Sequence, residues 1–176
     1  MTSPLRIFAA SSAAAVLLLA LAACSQTPTE SASPSAASSG CAGVTVVVDA
    51  SALDLADDPS TSTCVATDKT IAATDALAEA HVTTAGTTQY GDQVVCRVNG
   101  VPAEDQALKN PDGSDYFEKC EGMPAAFAYW SMWVQPSGGE WEYAQEGLST
   151  LQLKPGEGLA LLFTLNGLPA SPTATP

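Results

Sequence analysis

Positive charge is scarce in this chain. Six lysines and arginines stand against 19 aspartates and glutamates, which gives a net charge of −13 at pH 7. Nucleic acids and anionic membrane surfaces attract proteins through clusters of Lys and Arg, so neither is an expected partner. A surplus of acidic side chains is typical of a solvated surface that keeps an exported protein soluble.

The chain also lacks the residue groupings on which enzymes commonly depend. His81 is its single histidine, and no Gly-x-Ser-x-Gly motif, phosphate-binding loop or dinucleotide fingerprint occurs. His81 lies at the end of a predicted helix, where a cation is favoured for structural reasons. Asp54, Asp57 and Asp58 lack the Gly-centred loop and closing Glu of a calcium site, so we interpret them as a solvated loop. We therefore expect no enzymatic activity, no cofactor and no bound metal.

One long apolar run is present, at the amino terminus. It follows Arg6, extends from Ile7 to Ala23 and ends directly before Cys24. A positive start, a short apolar core and small residues at the cut are typical of a secretory signal, and a Cys after small residues is the lipid acceptor of bacterial lipoproteins. We predict that residues 1–23 are a lipoprotein signal peptide and that Cys24 is acylated. The alternative, an ordinary signal followed by a chance cysteine, leaves the next segment unexplained.

Low-complexity segments flank a single predicted domain. Residues 24–40 are dominated by Ser, Ala, Thr and Pro with one charge, Glu30, and residues 169–176 have the same character. Such segments bury too little to offset the entropy of ordering, so we predict a flexible linker and a disordered tail. Residues 41–168 have the size of one domain. The expected localisation is the cell membrane, with the domain held by its lipid anchor on the extracytoplasmic side.

Four cysteines remain in the predicted domain, and they are Cys41, Cys64, Cys96 and Cys120. An even number in an exported domain indicates two disulfides. Four cysteines allow three pairings, which the spacing alone does not separate. The sequential pairing, 41 with 64 and 96 with 120, closes two loops of about 25 residues, each worth roughly 3 kcal/mol in the chain-entropy model. Neither spacing is Cys-x-x-Cys, so redox and zinc sites are disfavoured.

Hydrophobic patterning predicts an α+β domain, with one helix packed on one mixed sheet. The predicted elements are a core strand at 44–48, an acidic loop at 54–62, a helix from Asp68 or Thr70 to Val82, a strand at 93–98 before an Asn99-Gly100 turn, a polar loop at 104–118, an aromatic hairpin at 128–144, a turn at 154–158 and a last core strand at 159–165.

The aromatic hairpin contains all three tryptophans of the chain, Trp130, Trp133 and Trp141. Strand alternation places Trp130 and Trp133 on opposite faces. These residues can form a core and its rim, yet a domain of this size cannot bury both faces equally, so we expect at least one partly exposed indole. An exposed indole beside a tyrosine is a stacking platform for a flat apolar ligand or a sugar. Our candidate ligand-binding residues are therefore Trp130, Trp133, Trp141 and Tyr143.

Several short motifs resemble a known family. They are Asp75-Ala76-Leu77, Tyr90-Gly91, the stretch from Cys96 to Pro102, the stretch from Tyr129 to Trp133, Trp141 with Tyr143, Gly147, and Lys154 to Glu157. Together they are similar to the transcobalamin-like C-terminal domains, which are exported bacterial modules of the soluble-ligand-binding β-grasp group. The resemblance covers most of Val44 to Phe163. It implies a β-grasp fold and a ligand-binding role; eukaryotic relatives hold a corrinoid between this domain and a separate helical domain.

Two functions are therefore expected, and neither is enzymatic. In the first, the chain is a membrane-anchored extracytoplasmic lipoprotein whose β-grasp-like domain binds a small apolar or planar ligand as an accessory to uptake by a membrane transporter. In the alternative, the chain is a structural or protein-interaction module of the cell envelope, has no small-molecule ligand and contacts another envelope protein.

Overall fold

The structure, a computed structural model, describes residues 40–173. The predicted signal peptide, the predicted lipidation site at Cys24 and nearly all of the predicted linker lie outside the described residues. In the described range, no helix combines the length and the apolar character that crossing a membrane requires.

Strands dominate the described part of the chain. The elements are β1 (Gly43–Asp49), a short 3-10 turn (Ser51–Leu53), β2 (Thr61–Ala66), β3 (Ile71–Ala72), α1 (Ala73–Glu79), β4 (Thr84–Thr87), β5 (Gly91–Val98), β6 (Leu108–Lys109), β7 (Asp115–Tyr116), β8 (Ala128–Gln135), β9 (Glu142–Tyr143), β10 (Gln152–Leu153) and β11 (Gly158–Leu165).

The central sheet has five strands in the order β2-β1-β11-β8-β9. β1 and β11 run parallel to each other, whereas the remaining neighbours are antiparallel. The predicted α+β domain with one helix and a mixed sheet is therefore confirmed. Six of the seven residues of β1 and seven of the eight residues of β11 are buried, because both strands lie in the middle of the sheet and are covered on both faces.

The two faces of the sheet bury different sets of side chains. On one face, Val46 of β1 and Leu161 of β11 share a large core with Leu77 of α1. On the other face, a smaller cluster consists of Val47, Trp133, Ala160 and Leu162, with Trp141 packed against it. The helix α1 therefore packs on the face of the sheet that forms the larger core.

The helix is shorter than predicted. Instead of starting at Asp68 or Thr70 it starts at Ala73, because Ile71 and Ala72 pair with Leu153 and Gln152 in the ribbon of β3 and β10. The residue before the helix, Ala72, makes no side-chain cap hydrogen bond. Tertiary strand pairing has therefore overridden the local helix signal at this end.

At its other end, the helix closes with two backbone hydrogen bonds. The N–H of Val82 donates to the carbonyl of Leu77, and the N–H of His81 donates to that of Ala78. His81 has a φ of 59°, so this is a Schellman ending with a histidine in the left-handed position. The predicted place of His81, at the end of the helix, is confirmed.

The structure differs from the prediction in three segments. The loop predicted at 54–62 ends earlier, because Thr61 begins β2, which pairs antiparallel with β1 through its whole length. The strand predicted at 93–98 is confirmed as β5, but the prediction of one sheet is wrong here, because β5 pairs with β4 in a separate ribbon instead of joining the central sheet. The loop predicted at 104–118 also contains a two-stranded ribbon, formed by β6 and β7.

The remaining predicted turns and strands are confirmed. Asn99 and Gly100 both have positive φ, 49° and 81°, as a two-residue hairpin turn requires. β8 and β9 form the predicted aromatic hairpin, with Trp133 opposite Tyr143. The N–H of Glu157 closes the turn that precedes β11 by donating to the carbonyl of Lys154 at 3.0 Å.

Both disulfides follow the sequential pairing. Cys41 is bonded to Cys64, with a Cα–Cα distance of 5.4 Å, and Cys96 is bonded to Cys120, at 5.6 Å. The first disulfide joins the start of the domain to β2. The second joins β5 to the segment that leads into β8.

The domain extends beyond the predicted boundary at Leu168. The hydroxyl of Thr164 donates to the carbonyl of Pro169 at 3.1 Å, and Pro172 is buried. The described residues of the predicted tail therefore contact the domain.

Candidate functional site

Trp130 lies on the face of β8 that points into the larger core. Its side chain is 6% exposed and packs edge-on against Phe163, with 5.3 Å between ring centroids. Its indole N–H donates to the carbonyl of Val101 at 3.0 Å. The ring is thus a core element with a satisfied polar group.

Trp133 lies on the opposite face of β8, as strand alternation predicts. It is also 6% exposed, and its indole N–H donates to the hydroxyl of Ser131 at 2.9 Å. Tyr143 stacks on Trp133 with 3.9 Å between centroids and remains 49% exposed. Trp141 is partly exposed and packs against the same cluster. Three of the four candidate residues therefore lie together, whereas Trp130 lies across the sheet from them.

A cleft of about 560 Å³ opens where β9 ends along β8. β9 pairs only with Trp133 and Val134, and the N–H of Ala144 then donates to the carbonyl of Met132 at 2.9 Å before the chain leaves the sheet. At Gly147 the departing chain passes so close to β5 that an added Cβ would lie 3.1 Å from the Cα of Gln93. We call this space the β8 cleft.

Four segments form the walls of the β8 cleft. They are residues 129–132 of β8, 143–147 after the hairpin, 93–95 of β5, and 123–126 before β8. Most of their side chains are apolar, and the polar groups are the following: Gln93, Tyr129, Ser131, Tyr143, Gln145 and Glu146. An apolar cavity with a few polar groups is the usual form of a small-molecule site.

The hydroxyl groups of Tyr129 and Tyr143 interact at this cleft. Partial burial of Tyr143 and hydrogen bonding with Tyr129 raise the pKa of Tyr143 above its usual value. The phenol of Tyr143 is therefore a neutral hydrogen-bonding group at neutral pH.

The wall at 123–126 is held by covalent and polar links just before it. The Cys96–Cys120 disulfide ties it to β5, and the amides of Thr88 and Gln89 donate to the carbonyls of Cys120 and Glu121 at 2.8 and 3.0 Å. These links connect two cleft walls that are distant in the sequence.

The buried side chain of Glu118 adds hydrogen bonds to the segment that the Cys96–Cys120 disulfide links to β5. The carboxylate of Glu118 accepts hydrogen bonds from the hydroxyl of Tyr116 and from the amide of Cys120, both at 2.7 Å. The guanidinium of Arg97 donates to the carbonyls of Glu118 and Pro102. Burial, followed by the hydrogen bond with Glu118, raises the pKa of Tyr116 to about 12.

One grouping of potential metal ligands occurs among residues 40–173, and it consists of Cys96, Glu118 and Cys120. Its two sulfurs are joined to each other in the disulfide, and the carboxylate of Glu118 is hydrogen-bonded as described. The grouping is therefore accounted for by structural contacts.

Comparison of the chain with protein-family models, curated proteins and solved structures finds no match.

The cleft contains residues that sequence reasoning missed. Tyr129 was assigned only to a strand, and no role was predicted for Met123, Gln145 or Glu146, which line the cleft with it. These residues come from separate segments with no shared periodicity. The uncharged Met123-Pro124-Ala125-Ala126 stretch was the one local signal, because apolar residues at that density are unusual in a loop.

Proposed function

We propose that this chain is an extracytoplasmic lipoprotein, held to the cell membrane through Cys24, whose domain binds a small ligand in the β8 cleft as an accessory to uptake. The cleft carries the proposal. Its volume of about 560 Å³ lies within the range of small-molecule sites, and its apolar walls with a few polar groups have the usual composition of such sites.

We further propose that the domain is a β-grasp of the transcobalamin-like kind. The support comes from the order of the sheet, in which an initial antiparallel pair, β1 and β2, is followed by a helix, and the last strand, β11, runs parallel to β1 in the middle. This strand order supports the proposal of a β-grasp fold. The short sequence motifs resemble the transcobalamin-like domains, and the strand order is a second, independent support for the same proposal.

The tyrosines are better placed than the tryptophans to contact a ligand. Trp130 and Tyr143 both line the cleft, but Trp130 is almost completely covered whereas about half of Tyr143 is exposed. Trp133 and Trp141 are not among the lining residues. The exposed ring of Tyr143 stacks on the buried ring of Trp133, which holds it in place at the cleft. We therefore propose that, of the predicted aromatic residues, Tyr143 contacts the ligand, together with Tyr129.

The exposed surface at the cleft favours a second function, protein interaction. Met123 is 67% exposed, Tyr143 is 49% exposed, and both belong to the walls of the cleft. Methionine is common at adaptable binding surfaces. An envelope protein bound here would cover both side chains.

The ligand proposal is tested with the full mature chain carrying Cys24→Ser, which keeps it in solution. Intrinsic tryptophan fluorescence and amide chemical shifts are recorded while corrinoids, haem and simple glycans are added. We expect one class of ligand to shift the resonances of the cleft walls. Tyr143→Leu should weaken that ligand by about 1–3 kcal/mol, on the scale measured for aromatic stacking.

Tyr90→Leu is the matched control, because Tyr90 is also exposed but does not line the cleft. Equal affinity of both variants would place the ligand elsewhere. Failure of every ligand, together with crosslinking of an envelope protein to Met123, would favour protein interaction.

The anchor is tested separately, by fractionation. Cys24→Ser should abolish labelling with a radioactive fatty acid and release the chain from the membrane fraction. If the variant stays in the membrane fraction, the prediction of a lipid anchor at Cys24 is wrong.

A further inference from the structure

The charge that lines the β8 cleft has one sign. Glu146 is the acidic side chain among the lining residues, and neither Lys, Arg nor His occurs among them. Three of the basic side chains are engaged elsewhere: Arg97 with backbone carbonyls, Lys109 with Asp115, and Lys119 with Glu104. An anion in the cleft would therefore find no cationic partner among its walls.

The net charge of the whole domain is also negative. Residues 40–173 exclude Arg6 and Glu30, so they hold five basic against 18 acidic side chains, a net charge of −13 with His81 neutral. A field of this sign concentrates cations near the surface and repels anions, at distances up to the screening length of about 10 Å. Encounter with a cationic ligand is thus favoured before any contact forms.

The aromatic groups of the cleft provide the contact itself. Tyr143 lines the cleft, stacks on Trp133 and remains 49% exposed, so about half of this residue is accessible to a ligand. Tyr129 lines the same cleft, and its hydroxyl interacts with that of Tyr143. A cation within about 6 Å of such a ring is attracted by the negative potential of the ring face.

The remaining walls set the rest of the ligand's chemistry. Val94, Met123, Ala126 and Met132 give the cleft an apolar lining. A bare metal ion, which requires several oxygen or nitrogen ligands, would find one carboxylate here. The lining instead matches a cation that carries its own apolar surface, because alkyl groups around the charge lower the cost of leaving water.

We propose that the β8 cleft selects small organic cations, namely alkylammonium or quaternary ammonium groups on an apolar body, over neutral and anionic molecules of the same shape. The inference rests on the proposed ligand-binding function of the cleft and adds the charge of the ligand class. Glu146 supplies the opposite charge, and Tyr129 and Tyr143 supply the aromatic faces.

Three probes of nearly identical shape test this proposal. They are choline, the neutral alcohol in which a tert-butyl group replaces the trimethylammonium group, and the tert-butylacetate anion. Each is titrated into the isotope-labelled mature chain carrying Cys24→Ser, and the amide shifts of the cleft walls give the affinity. We expect choline to bind about tenfold more tightly than the alcohol, and the anion to bind most weakly.

Charge removal at the cleft provides the second measurement. Glu146→Gln should reduce the preference for choline over the alcohol by about threefold, since an exposed carboxylate interacts only modestly with a cation. Glu140→Gln removes the same charge at an exposed position outside the cleft and should leave the preference unchanged. Both side chains are exposed, so neither variant disturbs the fold.

The outcomes separate the two proposals. If the alcohol binds in the cleft as tightly as choline does, the cleft binds ligands without charge selection, and this inference is overturned while the proposed function stands. If no probe shifts a resonance of the cleft walls, the inference is overturned, and the ligand-binding function loses its support if the larger ligands fail as well. Equal effects of Glu146→Gln and Glu140→Gln would also overturn it, because the preference would then reflect net charge.

Discussion

The two disulfides close loops of almost equal length, so removing them one at a time separates their effect on stability from their effect on the cleft. The sequence separations are 23 and 24 residues. In the chain-entropy model, each cross-link then stabilises the domain by about 3.4 kcal/mol. We therefore expect Cys41→Ala with Cys64→Ala, and Cys96→Ala with Cys120→Ala, to lower the free energy of unfolding by similar amounts, with melting temperatures reduced by roughly 10 °C.

The local consequences should differ between the two double variants. Cys41 and Cys64 lie at the pair of β1 and β2, which six cross-strand residue pairs hold together without the disulfide. Cys96 and Cys120 join β5 to the segment that forms a cleft wall, where no strand pairing replaces the bond. Loss of the second disulfide should therefore loosen the cleft as well as lower stability.

Native-state hydrogen exchange measures this difference without a ligand. The amides of Thr88 and Gln89 donate to the carbonyls of Cys120 and Glu121. We expect these two amides to exchange at least about tenfold faster after removal of the Cys96–Cys120 bond, under conditions where both variants remain folded. In the variant without Cys41–Cys64, they should keep their protection relative to the core. Equal exchange in the two variants would refute the assignment of the second disulfide to the cleft wall.

Two further predictions concern buried or partly buried rings. Trp133→Ala should lower the free energy of unfolding by about 3–5 kcal/mol in urea titrations, because it removes a nearly buried ring that covers Ala160 and Leu162; a loss below about 1 kcal/mol would show that this face has no packed core. The pKa of Tyr116 is raised from 10.0 to about 12, so the protonated phenol contributes stability that is fully present below pH 10 and is lost as the pH rises through about 12. Tyr116→Phe should flatten the fall in stability over this range, whereas Tyr90→Phe should not; identical pH profiles would contradict the role given to Tyr116.

Strand and turn signals in the sequence were reliable where local chemistry and burial agree. β1 and β11 were predicted from short apolar runs that are typical of core strands, and the Asn99-Gly100 turn was predicted from residues that tolerate positive φ. The predicted helix was too long at its start because Ile71 and Ala72 fit a helix as well as a strand. Their partner, β10, lies some 80 residues away along the chain, and no local pattern carries that information.

At the candidate site, too, one feature followed from local sequence and another depended on tertiary contacts. Alternation along β8 correctly separated Trp130 from Trp133, since successive side chains of a strand point to opposite faces. The degree of burial of each ring could not be obtained in this way. It depends on Phe163, Val101 and Tyr143, which reach these rings only after the sheet has formed.

By itself, the sequence determined the charge of the domain, its cysteine content, its main core strands and the prediction of an export signal with a lipid anchor, because each depends on composition or on residues close together in the chain. Only the tertiary structure decided which cysteines pair, that β5 leaves the central sheet, and that a cleft opens beside β8 with Tyr129, Tyr143 and Glu146 on its walls. Those features join segments separated by up to about 50 residues. Their contacts are made by packing and strand pairing, which no local pattern of side chains specifies.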